Sequence, residues 1–158
     1  MTSKKIALLS IMLATMLVLT SIESMIAPLP FYAKPGLANV VVMFCVFSIG
    51  RSQAVLLNVL KSVFVLIIRG PIAGLLSLSG GLLSIVVVIL LKKTKMSYSA
   101  ISVLAACVHN LGQLLAASVL LSTFHVFYYT PVLIISSIVM GFLTGTLLRI
   151  LIPLIGRN

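Results

Sequence analysis

Residues 72–91 read IAGLLSLSGGLLSIVVVILL, and two lysines, Lys92 and Lys93, follow immediately. The run carries no charged residue, and as a helix rising about 1.5 Å per residue it would cross the roughly 30 Å hydrocarbon core of a bilayer. Charged lysines directly after such a run are typical of a helix that ends at a membrane surface. The stretch therefore predicts a transmembrane helix.

Five further apolar runs flank this one, separated by charges, prolines and glycines. Together they predict a single domain over residues 1–158, an all-α integral membrane bundle of six transmembrane helices. The predicted helices lie near residues 6–23, 37–50, 53–69, 72–91, 98–121 and 131–153. The second and third runs are short, which predicts that they are tilted or shielded by neighbouring helices. The first run resembles a signal peptide, but no small-x-small cleavage site follows it, so it is predicted to remain as the first helix.

The composition of the whole chain points to the same class of protein. Of its 158 residues 61% are hydrophobic and only 8% are charged, whereas roughly a quarter of the residues in soluble domains are charged. Eleven Lys and Arg stand against one acid, Glu23. The cations fall between apolar runs and not in a stripe with interleaved aromatics, so they indicate membrane topology and no nucleic-acid partner.

The positions of the cations predict the orientation of the bundle. With the N-terminus in the cytoplasm, most of them lie at or near the inner face: Lys4, Lys5, Arg51, Lys92, Lys93, Lys95, Arg149 and Arg157. Lys34 and Arg69 then lie at the outer face, and Lys61 lies inside the third helix. The positive-inside rule favours this arrangement over its inverse and places both termini in the cytoplasm.

Several kinds of catalytic site are missing from the sequence. There is no G-x-x-x-x-G-K-[ST] phosphate loop, and a single acid cannot form a paired-carboxylate site, an Asp-rich magnesium clamp or a Ser-His-Asp triad. Cys45 and Cys107 lack the C-x-x-C spacing of a zinc site. We therefore expect a protein that is not an enzyme and has no catalytic residue, metal or cofactor.

Polar side chains inside hydrocarbon are costly, so each requires a partner or a function. This set comprises Glu23, Asn39, Asn58, Lys61, His109, Asn110 and Gln113. Spacings of three (Asn58 and Lys61) and four (His109 and Gln113) place each pair on one helix face. In the predicted orientation the set lies near the midplane or outside it. It predicts a substrate-binding pocket entered from outside, with Lys34 and the loop at residues 28–30 as a lid.

Each of these residues also has a purely structural interpretation. Lys61 either binds an anionic or electron-rich group of a ligand or forms an ion pair with Glu23. His109 either contacts the ligand or forms an interhelical hydrogen bond, and the asparagines can tie helices together without touching a ligand. Small residues four apart predict close helix packing, as at Ser10–Ala14 and in the series Ser137, Gly141 and Gly145.

Five segments together resemble a known family: Glu23 with Pro28-Leu29-Pro30, Lys34-Pro35-Gly36-Leu37-Ala38-Asn39, Leu57-Asn58-Val59-Leu60-Lys61, Ser79-Gly80-Gly81-Leu82-Leu83-Ser84 and His109-Asn110-Leu111-Gly112-Gln113-Leu114. They resemble the Gx transporter family, which is also labelled heptaprenyl diphosphate synthase component I. The resemblance runs over essentially the whole chain. It implies a bacterial cytoplasmic membrane protein.

That family is similar to the S components of energy-coupling factor (ECF) transporters. The resemblance implies that this chain, surrounded by membrane lipid, captures a small vitamin-like molecule from outside. It also implies two kinds of partner, a transmembrane coupling subunit and cytoplasmic ATPase subunits. S components dock the coupling subunit through a small-x-x-x-small stripe on the first helix, a role that Ser10 and Ala14 would fill here. The family label implies an alternative, a non-catalytic membrane accessory of isoprenoid or quinone metabolism or of a flavin-dependent extracellular electron-transfer system. A purely structural membrane subunit is a third possibility.

Overall fold

The computed structural model describes residues 3–26 and 36–155, which contain helices and connecting turns and no strand. The helices are α1 Ser3–Ile26, α2 Asn39–Ser48, α3 Arg51–Arg69, α4 Pro71–Leu91, α5 Tyr98–Leu120 and α6 Thr130–Ile155, with a 3-10 helix at His125–Tyr129 before α6. All of these α-helices except α2 are long and apolar enough to cross a membrane. The predicted all-α membrane bundle is confirmed, and the chain is a multi-pass membrane protein.

Helix α2 is shorter than predicted, and its neighbours in the bundle shield it from lipid. Predicted over residues 37–50, it covers ten residues, about 15 Å at the helical rise and so about half of a bilayer core. Residues 39–46 are all buried, and α2 contacts α1, α3, α4 and α6. A half-length helix leaves backbone groups at membrane depth that lipid cannot satisfy, so protein must surround it. Shielding by neighbours is thus the arrangement found for α2.

The other run predicted to be short, residues 53–69, forms a full-length helix. Helix α3 begins at Arg51 and has 19 residues. Gly70, with φ +91°, turns the chain directly into α4, which begins with Pro71. A proline suits the first helical position because the backbone N–H that it lacks has no partner within the helix there.

Lys92, the first of the two lysines that follow α4, contacts the end of α2. The ammonium of Lys92 donates to the carbonyl oxygens of Val46 at 2.8 Å and Phe47 at 3.2 Å, the last turn of α2. A cation at this position also interacts favourably with the dipole of α2. The sequence predicts Lys92 only as a topology signal, whereas in the fold it also caps the C-terminus of α2.

Glycines set the spacing of α5 from α6 and α4. A Cβ atom on Gly145 would lie 2.3 Å from Ser99 Cα, and one on Gly141 would lie 2.5 Å from Val103 Cα. Lipid tails are as apolar as leucine, so helices in a membrane associate largely through such close backbone contact. The packing role predicted for Gly141 and Gly145 is therefore realised against α5.

Candidate functional site

Polar side chains from α1 to α5 line one small cavity of about 20 Å³. They are Thr20, Glu23, Asn39, Lys61, Arg69, Ser77, His109 and Gln113. A cavity needs roughly 10–15 Å³ to hold one water molecule, so in this conformation the site has room for about one. Across residues 3–26 and 36–155, no three His, Cys, Asp or Glu side chains form a group that could hold a metal ion.

Lys61 lies at the middle of this site. Its side chain is only 4% exposed, and its ammonium donates to Asn39 Oδ1 at 3.3 Å. Lys61 lies ten residues after the start of α3, about 15 Å along the helix. Because α2 covers only half the membrane, its first residue, Asn39, comes to the same depth. The shortness of α2 therefore places a polar helix start beside a buried cation.

Glu23 of α1 lines the same cavity as Lys61. Its carboxylate accepts a hydrogen bond from the backbone N–H of Leu37, in the turn that leads into α2. Its charge is close enough to interact electrostatically with Lys61. The two charges share the cavity, each with a hydrogen bond to a different part of the α2 start. This arrangement is compatible with both predicted roles of Lys61, an ion pair with Glu23 and the binding of a ligand group.

His109 and Gln113 form a pair on the buried face of α5. Their Nε2 atoms are 3.2 Å apart, and each side chain is at most 5% exposed. Gly80 of α4 makes room for them, because a Cβ there would lie 2.9 Å from Gln113 Cγ and 3.2 Å from His109 Cε1. A glycine at position 80 is thus what lets the polar face of α5 approach α4.

Two of the predicted site residues bind neighbouring helices outside this cavity. Asn58 is fully buried against α4; its Nδ2 lies 3.5 Å from the carbonyl oxygen of Leu78, and its Oδ1 occupies the place that a Cβ of Gly81 would take. Asn110 Nδ2 donates to Leu133 O at 3.2 Å and to Ser137 Oγ at 2.7 Å. These contacts match the helix-tying alternative. A part in ligand binding stays a prediction for both.

The two residues predicted to dock a partner, Ser10 and Ala14, do not line the cavity. Ser10 and Ala14 are exposed on α1, where a partner protein can reach them. Lys34 and the predicted lid at residues 28–30 lie outside the described residues.

Three polar residues of the cavity were not predicted as site residues: Thr20, Ser77 and Arg69. Helical spacing carried a signal for two of them. Thr20 lies three residues before Glu23, and Arg69 lies eight residues, or about two turns, after Lys61. The sequence predicts Arg69 only as a topology signal and gives no signal that Ser77 lines a site. The fold gives both a place in the cavity.

Residues 12–151 match the family described as heptaprenyl diphosphate synthase component I. The chain belongs to this family. The matched range contains every residue that lines the cavity and agrees with the family label that the sequence segments resemble. No curated protein and no solved structure matches the chain.

Replacing Asn110 by leucine is expected to lower the free energy of unfolding by about 1–2 kcal/mol, because two hydrogen bonds between α5 and α6 are lost. Reversible unfolding in mixed micelles of detergent and denaturing surfactant measures the change. Ser118→Ala on the same helix is the control, since the Ser118 side chain is only half-buried and its hydroxyl donates within its own helix, to Leu115 O at 2.9 Å. Equal stabilities for the two variants would show that Asn110 does not tie the helices.

Proposed function

We propose that the chain is the substrate-binding component of an ECF-type importer and captures a small vitamin-like or cofactor-precursor molecule from outside the cell. The observation that carries this proposal is the charged cavity built by five helices in a chain that is only 8% charged. Burying Lys61 and Glu23 at membrane depth is costly, and ionisable residues in such places usually serve a substrate or ion. A purely structural bundle could use apolar residues there.

The cavity lies toward one end of the bundle, and this position supports capture from outside. It is lined by residues near the end of α1 (Glu23), the end of α3 (Arg69) and the start of α4 (Ala73). The opposite ends carry Lys5, Arg51, Lys92 and Arg149. If those cations lie in the cytoplasm, as the positive-inside rule favours, the cavity faces away from the cytoplasm. The start of α1 and the end of α6 then lie on the cytoplasmic side.

The proposal assigns the energy-yielding chemistry to partner proteins. The chain would bind its ligand and be moved or reshaped by a coupling subunit driven by ATPase subunits, with no catalytic step of its own. The cavity volume of about 20 Å³ is far below the several hundred Å³ of ordinary ligand pockets. Ligand entry would therefore require the helices and turns around Asn39 to separate from α3 and α5.

Docking of the coupling subunit is proposed to use α1, and a matched pair of variants tests it. Ser10 on α1 and Thr146 on α6 are both exposed, and each hydroxyl bonds to the carbonyl oxygen four residues earlier in its own helix. Ser10→Leu is expected to reduce copurification with the coupling subunit and ATPases from native membranes by about tenfold or more, as a bulky group in a close helix contact does. Thr146→Leu should leave copurification unchanged.

Two results of this experiment would count against the proposal. Equal losses for both variants would indicate a general folding defect and not a docking face on α1. Failure of the unaltered chain to copurify with any coupling subunit would refute the importer assignment itself.

The family description favours a second candidate, a non-catalytic membrane accessory in isoprenoid or quinone metabolism. A feature of the fold fits it: an apolar groove of about 220 Å³ lies between α5 and α6, lined by residues such as Leu111, Leu114 and Ile134. A groove of this kind suits part of a prenyl chain. Copurification with a prenyl synthase in place of coupling subunits would favour this candidate over the importer.

A further inference from the structure

The apolar groove between α5 and α6 has a buried hydrogen-bond acceptor in its wall. We propose that this groove binds a membrane-dissolved alcohol, a molecule with a short apolar chain and a hydroxyl group that donates to Asn110 Oδ1. The groove shares no lining residue with the charged cavity, so the site is independent of the importer proposal. It deepens the accessory candidate, on which it rests only in taking the groove as a ligand site, by naming the chemistry of the ligand.

The orientation of the Asn110 amide is fixed by its neighbours on α6. Its Nδ2 lies 3.2 Å from Leu133 O and 2.7 Å from Ser137 Oγ. A carbonyl oxygen can only accept, and the Ser137 hydroxyl donates its one hydrogen to Leu133 O at 2.7 Å. Turning the amide over would therefore set its oxygen against two acceptors. The amide nitrogen faces α6, and Oδ1 is the atom left outside these contacts.

This oxygen is a buried acceptor that the fold leaves unsatisfied. Within residues 3–26 and 36–155 Asn110 Oδ1 has no hydrogen-bond partner, although the side chain is only 4% exposed. A buried acceptor is unfavourable until a donor reaches it, and the hydrocarbon core of a bilayer contains no water that could supply one. Because Asn110 lines the groove, a molecule bound there lies beside this amide.

The size and lining of the groove select the rest of the ligand. Its volume is about 220 Å³, and an engineered apolar cavity of about 150 Å³ binds benzene, so by proportion it has room for roughly nine carbon atoms. A buried water needs two to four polar partners, which a mostly apolar lining does not offer. The acyl chain of an ordinary lipid fits the apolar walls but ends in a methyl group. An alcohol satisfies both the walls and the amide.

The groove can be reached sideways from the membrane. Leu111 on one wall and Ile134 on the other are 46% and 47% exposed, so the groove opens toward lipid. A hydroxyl group that moves into hydrocarbon loses its hydrogen bonds to water, which is costly. The Asn110 oxygen returns one of these bonds at membrane depth. The groove is therefore expected to prefer an alcohol over an equally apolar molecule that lacks a donor.

A second apolar groove on the same chain provides an internal control. It lies between α4 and α5, has a volume of about 550 Å³ and is lined by residues such as Leu82 and Leu115. Among the described residues that line it, none has a buried polar side-chain atom without a hydrogen bond. The Ser79 hydroxyl in its wall lies 3.1 Å from Leu76 O and 3.3 Å from Gly112 O. This groove is expected to accept apolar chains with and without a donor equally.

The experiment uses the full chain in lipid nanodiscs and octanol with a diazirine group in its chain as the photoreactive probe. Mass spectrometry of the crosslinked peptides reports the two grooves separately. Unlabelled octanol and octyl methyl ether, which keeps the oxygen but lacks the donor, are the competitors, compared at equal mole fractions in the lipid. We expect octanol to displace the probe from the α5–α6 groove at about tenfold lower mole fraction than the ether, the effect of one hydrogen bond to a buried acceptor. At the α4–α5 groove the two competitors should be equal.

Two outcomes with the unaltered chain would overturn the proposal. Equal displacement by octanol and the ether at the α5–α6 groove would show that it is only a lipid-contact surface. Probe crosslinks that avoid the peptides carrying Leu111 and Ile134 would show that the groove binds no alcohol. Neither outcome bears on the importer assignment, which copurification with a coupling subunit tests.

Matched variants test the walls and the amide in turn. Ile134→Phe places a larger side chain in the groove and is expected to reduce crosslinking there severalfold. Ile135→Phe, at the next position, which is 64% exposed and outside the groove lining, should leave it unchanged. Asn110→Leu is expected to abolish the preference for octanol over the ether.

Crosslinking in the α4–α5 groove and size-exclusion elution show whether each variant is folded. A folded Asn110→Leu variant that still prefers octanol would overturn the assignment of the hydroxyl contact. Equal crosslinking of folded Ile134→Phe and Ile135→Phe would overturn the assignment of the groove.

Discussion

Replacing Gly145 by alanine is expected to lower the free energy of unfolding by about 2–3 kcal/mol, a large effect for one methyl group. The added Cβ would lie 2.3 Å from the Ser99 Cα and 2.7 Å from its backbone nitrogen. Both are backbone atoms, so no side-chain rotation relieves the clash, and α6 must move away from α5. The packing that stabilises this helix pair in lipid is then reduced along the whole interface.

Thr146→Ala is the control for this prediction, because it changes the neighbouring residue on the exposed side of α6. Its stability should stay within about 0.5 kcal/mol of the unaltered chain, as for most surface substitutions. Reversible unfolding in mixed micelles measures both variants. A Gly145→Ala variant as stable as Thr146→Ala would mean that α5 and α6 are not in backbone contact at this position.

Replacing Gly81 by alanine is expected to cost about 2 kcal/mol of stability, through a different kind of contact. The new Cβ would lie 1.9 Å from Asn58 Oδ1 and 2.5 Å from Asn58 Cγ. Here the clashing group is a side chain, and it is buried between α3 and α4 with no exposed surface. Since Asn58 is fully buried, its amide can give way only if neighbouring side chains or the two helices move apart.

A second substitution tests this explanation directly. Asn58→Ala removes the clashing atoms, so the double variant Gly81→Ala, Asn58→Ala is expected to recover more than half of the loss. Asn58→Ala alone is expected to cost less than Gly81→Ala: it leaves a small cavity at a buried position, but the Nδ2 contact to Leu78 O that it removes is long at 3.5 Å. A double variant whose loss equals the sum of the two single losses would contradict the proposed contact, since coupled neighbours are non-additive.

The number and type of the helices could be predicted from the sequence because their cause is local. In lipid the backbone must satisfy its hydrogen bonds within each segment, so an apolar run of sufficient length becomes a helix whatever it packs against. The runs at 72–91 and 98–121 accordingly become Pro71–Leu91 and Tyr98–Leu120. Lys92 shows the limit of this reasoning, since its bond to the end of α2 joins residues 46 positions apart.

The site could be predicted only in part. Pairs of residues on one face of a single helix could be predicted, whereas contacts between different helices could not. His109 and Gln113 share a face of one helix, so their pairing could be predicted from spacing alone. The contact of Lys61 with Asn39 depends on where α2 begins, which the shielding of α2 by four other helices decides. Asn58 and Lys61 also share a face by spacing, but in the fold Asn58 packs against Gly81 of α4 whereas Lys61 lines the cavity.

By itself the sequence determined that this protein is a bundle of apolar helices, that its few polar residues are exceptional, and which of them share a helix. Hydrophobicity, length and periodicity suffice for that, because each acts within a single segment. Only the tertiary structure decided that Arg69, Thr20 and Ser77 join the cavity and that Asn110 faces α6. Those outcomes depend on how far each helix is rotated and how closely the glycines let it approach its neighbours, and these are properties of pairs of segments distant in the chain.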